Sequence, residues 1–266
     1  MKTIDITDRN AFGRIIDELR VNAVVVQLAP VYVLIAAPTS QGVGHLDRLK
    51  IRLPNKTYSA TIGDLSRFWQ SLDHDRLPDG FHLPEAISDM SDVILRFPFA
   101  APGFQSSTVR DGSHQALMLN GIHREMVKEI EAAFDHSAEP GMWAGKHFSA
   151  PLATSCNISG DPLGSIVDEQ RALEFANSRG VGLLVTSEAT KGECGSYPIL
   201  ELAHEGVSVR REGPGLSRLL RHVRHATTID RYAAQVGAPW GKAAGPVIPP
   251  HFPPYIQRQN TCISHG

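Results

Sequence analysis

The stretch Ala23-Val-Val-Val-Gln-Leu-Ala-Pro-Val-Tyr-Val-Leu-Ile-Ala36 decides the fold of this 266-residue chain. It contains two runs rich in β-branched residues, 23–28 and 31–36, which Pro30 separates. Runs that are apolar at almost every position are typical of strands buried on both faces of a sheet. The stretch therefore predicts two buried strands covered by other elements on both sides.

Helix-like and strand-like patterns alternate along the rest of the chain. Phe12, Ile15, Ile16 and Leu19 recur at helical spacing after a capping residue at Thr7 or Asp8. The patterns predict further helices over 42–49, 64–72, 123–136, 165–178 and 216–236, and strands over 57–62, 93–97, 181–185, 197–202 and 207–211. This alternation predicts an α/β fold with a mixed sheet and helices packed on it.

The composition favours a globular protein without a strong overall charge. Hydrophobic residues make up 42% of the chain, and the net charge is -2. Wholesale attraction to nucleic acid or to a membrane is therefore not implied, although a local basic patch is compatible with these numbers. The N-terminal residues lack the apolar core of a secretory signal, so we expect a cytoplasmic protein with no membrane partner.

The first candidate site is Lys50-Ile-Arg-Leu-Pro-Asn-Lys56, where three cations fall within seven residues. In an extended segment Lys50 and Arg52 would point the same way and converge on one ligand. An ammonium beside a guanidinium fork suits a polyphosphate. A solvated basic turn is the alternative interpretation of the same residues.

The second candidate is Thr154-Ser-Cys-Asn-Ile-Ser-Gly160, where small polar groups follow a predicted strand. Ligands of open α/β sheets collect at strand ends, and these side chains can bond a phosphate, a ribose or a carboxylate. An ordinary polar turn explains the segment equally well. A third candidate pairs Ser196 with Arg211 at the ends of a predicted hairpin, with plain surface residues as the alternative.

Taken in order, these segments resemble the YrdC family, including its YciO branch. That family has a Lys-x-Arg pair, matched by Lys50 and Arg52, and a later Thr-Ser-Ala-Asn-x-Ser-Gly stretch, matched by 154–160 with Cys156 at the alanine position. Ser196 and the Arg211-Glu-Gly213 segment fit the remaining motifs near the end of the domain. The resemblance covers roughly residues 10 to 214.

The resemblance implies a twisted, mostly open sheet around a basic concave cleft. Family members bind ATP with Mg²⁺, bicarbonate and L-threonine, and the threonine carbamate attacks the α-phosphate. The products are pyrophosphate and threonylcarbamoyl-adenylate, which serves tRNA modification. We accordingly expect a nucleotidyltransferase whose partners are ATP and a small acceptor, with RNA as a further candidate.

The residue roles follow from the same resemblance. The expected catalytic residues are Lys50, Arg52, Ser155 and Asn157. The expected nucleotide-binding residues are Lys50, Arg52, Lys56, Thr154, Ser155, Asn157, Ser196 and Arg211. The expected acceptor-binding residues are Tyr32, Lys56 and Ser155. We expect no resident metal, because no cysteine or carboxylate pair stands beside His222 and His225 at zinc-ligand spacing.

The chain departs from the family in the part that binds the amino acid. The family usually carries Pro-Thr-Asp/Glu-Thr before Val-Tyr-Gly-Leu, whereas this chain has Gln27-Leu-Ala-Pro30 and Val33. The Pro-Gly-Pro-x-Thr and Arg-x-Pro stretches are also missing. The chain would then adenylate a different carbamate or acid. The alternatives are a non-catalytic nucleotide- or RNA-binding module, and a hydrolase of an adenylate or phosphate ester.

Two regions are expected along the chain. Residues 1–214 form the YrdC-like α/β domain, and residues 215–266 form a C-terminal helix with a Pro/Gly-rich extension. The family's motifs all fall in the first region.

Overall fold

The computed structural model describes residues 1–52, 56–88, 90–188, 193–223 and 229–230. For residues 222–223 and 229–230 it describes the backbone alone. Over these residues, twelve strands form one sheet. They are β1 (Lys2–Asp5), β2 (Val24–Gln27), β3 (Tyr32–Ala36), β4 (Ser59–Ile62), β5 (Val93–Pro98), β6 (Val109–Arg110), β7 (Ser113–Met118), β8 (Leu152–Ser155), β9 (Leu183–Thr186), β10 (Ile199–Ala203), β11 (Gly206–Arg211) and β12 (Ile229–Asp230).

The helices lie between these strands. They are α1 (Ala11–Leu19), α2 (Ser40–Lys50), α3 (Leu65–Trp69), α4 (Glu85–Ser88), α5 (Gly121–Ala133), α6 (Glu169–Arg179) and α7 (Leu216–Val223). Three short 3₁₀ turns cover His74–Arg76, Asp135–Ser137 and Pro140–Trp143.

The sheet is mixed, as the alternating pattern predicted. Its strand order is β1-β9-β2-β3-β8-β4-β7-β5-β10-β11-β12, and β6 pairs with β7 beside that path. The quoted stretch forms the antiparallel pair β2–β3, in which Val25 lies opposite Leu34. Strand β8 then runs antiparallel to both β3 and β4. The end of β8 therefore lies beside the start of β3.

Both faces of the sheet are covered, because alternate side chains of one strand enter two separate cores. Val24 and Val26 pack in the core that also holds Ile130 of α5. Val25 packs in the opposite core, together with Leu46 of α2. Burying each such side chain contributes about 1.5–3 kcal/mol, which explains why β2 and β3 are apolar at successive positions.

Two predicted helices differ from the observed ones. The helix expected over 165–178 begins only at Glu169, because the Asp168 side chain caps it by accepting the backbone N–H of Arg171 at 2.9 Å. The prediction of a helix over 216–236 is wrong at Ile229 and Asp230. Those residues form β12, which pairs with the exposed edge of β11, whereas 224–228 and 231–236 lie outside the described residues.

The sequence patterns missed the strands β1, β6 and β7, the short helix α4 and one cap. Strand β1 pairs with β9, and β7 lies between β4 and β5. Both carry polar residues that mask the apolar alternation, such as the buried His114 of β7. Helix α1 begins after Asn10 rather than after Thr7 or Asp8.

Candidate functional site

The loop after β8 is tied to the start of β3 by backbone hydrogen bonds. The N–H of Cys156 donates to the carbonyl of Tyr32 at 2.9 Å, and the N–H of Tyr32 donates to the carbonyl of Ile166 at 2.9 Å. Lys50, the last residue of α2, reaches the same place, because its carbonyl accepts the N–H of Ser159 at 2.9 Å. Three distant segments therefore meet at one end of β8.

The Lys50 ammonium is the centre of this meeting point. It donates to the carbonyl oxygens of Ser155 at 2.6 Å and Asn157 at 2.8 Å. It also contacts Asn157 Oδ1 at 3.0 Å and Ser155 Oγ at 3.5 Å. The residue is only 2% exposed, although it lies at the end of a helix. The geometry holds one buried cation in a ring of oxygen atoms.

The pKa of Lys50 is lowered to about 7, mainly by burial and next by the charge of Arg52. The charge of Lys56 also acts to lower it. An incoming anion would offset this repulsion and raise the pKa again. Two of the cations predicted from the sequence, Arg52 and Lys56, therefore act on the third, Lys50.

Arg52 lies next to this ammonium but has different partners. Its guanidinium carbon lies 4.3 Å above the ring centroid of Tyr58, and Nη2 donates to the carbonyl of Thr57. Its Nε is buried and has no hydrogen-bond partner among the described residues. We call Lys50, Arg52, Ser155 and Asn157 together the Lys50 cluster.

The expectation that Lys50 and Arg52 lie in an extended segment is wrong. Lys50 ends α2, and Ile51 caps the helix in the left-handed region with φ 49 and ψ 63. A β-branched residue rarely adopts this conformation, and such strain is concentrated at functional sites. The turn, rather than an extended strand, brings the two cations close together.

The 154–160 segment matches its predicted shape. Ser155 ends β8, and its hydroxyl donates to Asn157 Oδ1 at 2.7 Å. Gly160 has φ 84, a conformation that favours glycine. Cys156 is fully buried in the core, and burial raises the pKa of its thiol. Cys156 therefore fills space and does not present a nucleophile.

Ser196 and Arg211 belong to a second polar group, next to Tyr197. Ser196 Oγ lies 2.7 Å from Ser165 Oγ. The Arg211 guanidinium donates from Nε at 2.9 Å and from Nη2 at 2.7 Å to the carbonyl of Tyr197. A Cβ on Gly213 would lie 2.3 Å from the carbonyl oxygen of Ser196, so only glycine allows this close packing.

The two groups are joined through Tyr32. Its backbone bonds Cys156 on one side and Ile166 on the other, and Ile166 follows the Ser165 that contacts Ser196. The Tyr32 side chain is 2% exposed and belongs to the core, so a role in acceptor binding stays a prediction.

Two further predicted site residues lie at the edge of this region. Thr154 is half-buried in β8 opposite Leu34. Lys56 is exposed. The binding roles assigned to Thr154 and Lys56 likewise remain predictions.

The turn between β2 and β3 replaces the family's amino-acid stretch and is closed on itself. Leu28 and Val31 exchange backbone hydrogen bonds at 3.0 and 3.3 Å. Gln27 accepts from Ser187 twice, through its side chain and through its carbonyl, both at 3.0 Å. Leu28 is 2% exposed. No residue from 27 to 30, all of which are described, carries a hydroxyl or a carboxylate.

Sequence reasoning missed three residues at the site. Tyr58 supports Arg52, Asp47 accepts the hydroxyl of Tyr58 at 2.5 Å, and Ser165 contacts Ser196. A tyrosine six residues after Arg52 was a weak signal for the first. The other two are visible only in three dimensions.

The described part of the chain lacks two features. Within it, no three or more His, Cys, Asp or Glu side chains are grouped so that they could hold a metal ion. Among the same residues, no helix is both long enough and apolar enough to cross a membrane.

Comparison with known proteins finds similarity in structure alone. No family model matches the sequence, and no curated protein matches it either. Sua5 from P. abyssi in complex with L-threonine is 15% identical, with a TM-score of 0.58 over 86% of this chain and 62% of that chain. E. coli YciO is 11% identical, with a TM-score of 0.55 over 79% of this chain and 93% of that one.

A third similar structure is full-length HypF in the phosphate- and nucleotide-bound form. It is 14% identical, with a TM-score of 0.56 over 77% of this chain and 29% of that chain. These matches confirm the fold that the sequence resemblance predicted. The chain has the α/β fold of the YrdC and Sua5 type.

Proposed function

We propose that this protein binds ATP at the Lys50 cluster and forms a carbamoyl-type or acyl-type adenylate, releasing pyrophosphate. The observation that carries the proposal is the buried Lys50 ammonium, held by the oxygens of Ser155 and Asn157 beside Arg52. Among the described residues the Lys50 ammonium has no carboxylate bonded to it, and a buried cation of this kind with a lowered pKa is typical of an anion site. The fold supports the same conclusion, since similar structures hold L-threonine or a nucleotide.

The proposed chemistry is a substitution at phosphorus. Bicarbonate and an amine first give a carbamate and water. A carbamate or carboxylate oxygen then forms a bond to the α-phosphorus of ATP, and the bond from that phosphorus to the bridging oxygen breaks. Pyrophosphate leaves with the bonding electron pair. The protein contributes by aligning the two reactants and by neutralising charge.

Lys50 and Arg52 would neutralise the charge of the leaving pyrophosphate. The Ser155 hydroxyl and Asn157 amide would orient the nucleotide and the acyl group, with Thr154 and Lys56 at the edge. Ser196 and Arg211 would close the other side of the phosphate site. Mg²⁺ would arrive bound to the ATP phosphates, which is its usual mode in nucleotide sites.

The acceptor would differ from threonine. The β2–β3 turn offers Gln27, Leu28, Ala29 and Pro30 where the resembled family has hydroxyls and a carboxylate. The side-chain oxygen and the carbonyl of Gln27 already accept hydrogen bonds from Ser187. An acceptor that needs those hydroxyls would find no hydrogen-bond partners at this turn. The nucleotide, in contrast, would still find its partners in the Lys50 cluster.

We further propose that residues 1–214 form the catalytic unit, with 215–266 as an extension of it. Helix α7 of that extension places Leu219 and Leu220 in the main core. A cytoplasmic location would suit an enzyme that uses ATP and bicarbonate. Any RNA partner would act in a later step, in which the adenylate is used for tRNA modification.

The test is pyrophosphate release from ATP, Mg²⁺ and bicarbonate, with L-threonine and then with a panel of amino acids and small carboxylic acids. We expect release that needs one acceptor of the panel and is lost in Lys50→Ala. Lys128→Ala is the matched control, because Lys128 is exposed and bonds Glu125 on α5. ATP binding without release for any acceptor would favour a nucleotide-binding module. Release of products without any acceptor would favour a hydrolase.

A further inference from the structure

Tyr58 is a buried residue beside the Lys50 cluster that the proposed reaction does not use. It is 1% exposed and lies just before β4. Its N–H donates to the carbonyl of Ser107 at 2.8 Å, and its hydroxyl donates to Asp47 Oδ1 at 2.5 Å. Both ends of the residue are therefore fixed, and the ring has one position.

That fixed ring is a platform for Arg52. The guanidinium carbon lies 4.3 Å from the ring centroid, a distance at which the cation and the ring attract each other. One edge of the guanidinium is anchored as well, because Nη2 donates to the carbonyl of Thr57. The ring and the carbonyl together fix the plane of the fork.

One donor of this fixed fork lacks a partner. Within the described residues, Arg52 Nε is buried and makes no hydrogen bond. A buried donor without a partner is costly, and such groups are usually completed by a ligand or by water. A phosphate oxygen accepts from Nε–H in the plane of the guanidinium, which is the plane that Tyr58 sets.

Asp47 links the platform to the helix. Its side chain accepts the Tyr58 hydroxyl, while its backbone carbonyl accepts the N–H groups of Ile51 and Arg52. One residue therefore fixes both the ring and the chain that carries Arg52.

We propose that Tyr58, held by Asp47, is a positioning residue that aims Arg52 Nε at a phosphate oxygen of ATP. The inference rests on the proposed function, because it assigns the ligand of Arg52 to ATP. Tyr58 acts through Arg52 and does not touch the reacting atoms.

The test begins with two substitutions of one ring. Tyr58→Leu removes the platform and raises the KM for ATP by about 3- to 30-fold, the range of a cation–π contact, with a smaller change in kcat. Tyr58→Phe keeps the ring and loses only the Asp47 bond, so it restores most of the affinity. Phe81→Leu is the control, because Phe81 is an aromatic residue equally buried in the same core.

A double-mutant cycle with Arg52→Ala separates positioning from mere support of the fold. If Tyr58 acts through Arg52, Tyr58→Leu adds nothing to the ATP affinity lost in Arg52→Ala. Calorimetric titration of ATP into each variant gives that affinity without an acceptor. Thermal unfolding of the same samples identifies any variant that does not fold.

The outcomes distinguish the two proposals. Suppose that the wild type binds ATP and that Tyr58→Leu leaves the affinity unchanged, or that its loss adds to that of Arg52→Ala. Either result overturns the role of Tyr58 and leaves the proposed function standing. Wild-type protein that binds no ATP overturns the proposed function, and the role of Tyr58 with it. The inference is supported if Tyr58→Leu lowers ATP affinity, if Tyr58→Phe keeps most of it, and if the double variant binds ATP no more weakly than Arg52→Ala.

Discussion

The Lys50 cluster and the β2–β3 turn both lie next to Tyr32, whose carbonyl accepts the N–H of Cys156 and whose preceding residue, Val31, closes the turn. The two regions differ in the groups that they offer a ligand. The cluster holds a buried ammonium, a guanidinium with an unbonded Nε within the described residues, and the oxygens of Ser155 and Asn157. The turn holds apolar side chains and a glutamine already bonded to Ser187.

The difference is the reason for proposing a nucleotide site at the Lys50 cluster and an altered acceptor site at the turn. Burying a cation costs free energy, and a stable fold tolerates that cost mainly where the cation has a function. The turn carries no such cost, because none of its residues from 27 to 30 is charged. We therefore expect ATP affinity to depend on the residues of the Lys50 cluster and not on those of the turn.

The largest expected effect is that of Lys50→Ala. Removing the ammonium takes away the charge that faces the phosphates, so ATP should bind about 100-fold more weakly. Calorimetric titration of ATP measures the change, and Lys128→Ala should bind as wild type does. Lys50→Met is a second variant for the case in which the alanine destabilises the fold, because methionine is an unbranched side chain that fills most of the buried volume of lysine without its charge. Unchanged ATP affinity in a folded Lys50 variant would break the comparison.

Asn157→Ala should have a smaller effect. It removes Oδ1, which accepts from Lys50 at 3.0 Å and from the Ser155 hydroxyl at 2.7 Å. The backbone carbonyls that hold Lys50 remain, so we expect a loss of about 10-fold in ATP affinity, the value of one charge-assisted hydrogen bond. Asn120→Ala, on the loop before α5, is the matched amide control. An equal loss in both variants would show that the amide at 157 has no special role.

Gln27→Ala should have the smallest effect on ATP. The substitution breaks the bond from the Ser187 N–H to Gln27 Oε1, which should lower the free energy of unfolding by about 1 kcal/mol. ATP affinity should stay within about twofold of wild type, since the effect is on stability alone. Urea unfolding and ATP titration of one sample give both values. A large loss of ATP affinity would place the turn in the nucleotide site.

The sequence predicted the elements better than their partners. Local patterns identified β2, β3, the hairpin β10–β11 and the helices α2 and α5, because each is coded by neighbouring residues. They missed β7, whose polar positions include the buried His114. They also placed Lys50 and Arg52 in an extended segment, since no local pattern announces a left-handed isoleucine at a helix end.

The candidate site could be predicted only as separate segments. Lys50 and Ser155 are 105 residues apart, and the pairing of β8 with β3 and β4 brings them together. The resemblance to a family supplied that link, whereas spacing alone did not. Tyr58 and Asp47 were missed because their role depends on a contact above a ring.

Proton uptake on ATP binding tests the central claim most directly. The pKa of Lys50 is about 7 in the free protein, because burial disfavours its charge. At about pH 8 most of the free protein therefore carries a neutral Lys50, and phosphates that raise its pKa draw in a proton. ATP affinity should accordingly fall by up to about tenfold for each pH unit above that pKa.

The measurement is calorimetric titration of ATP in two buffers of different ionisation enthalpy, with wild type and Lys50→Ala side by side. The account predicts uptake of about 0.9 proton per ATP at about pH 8 in the wild type, and almost none in the variant. ATP binding without proton uptake, or with equal uptake in both proteins, would contradict it.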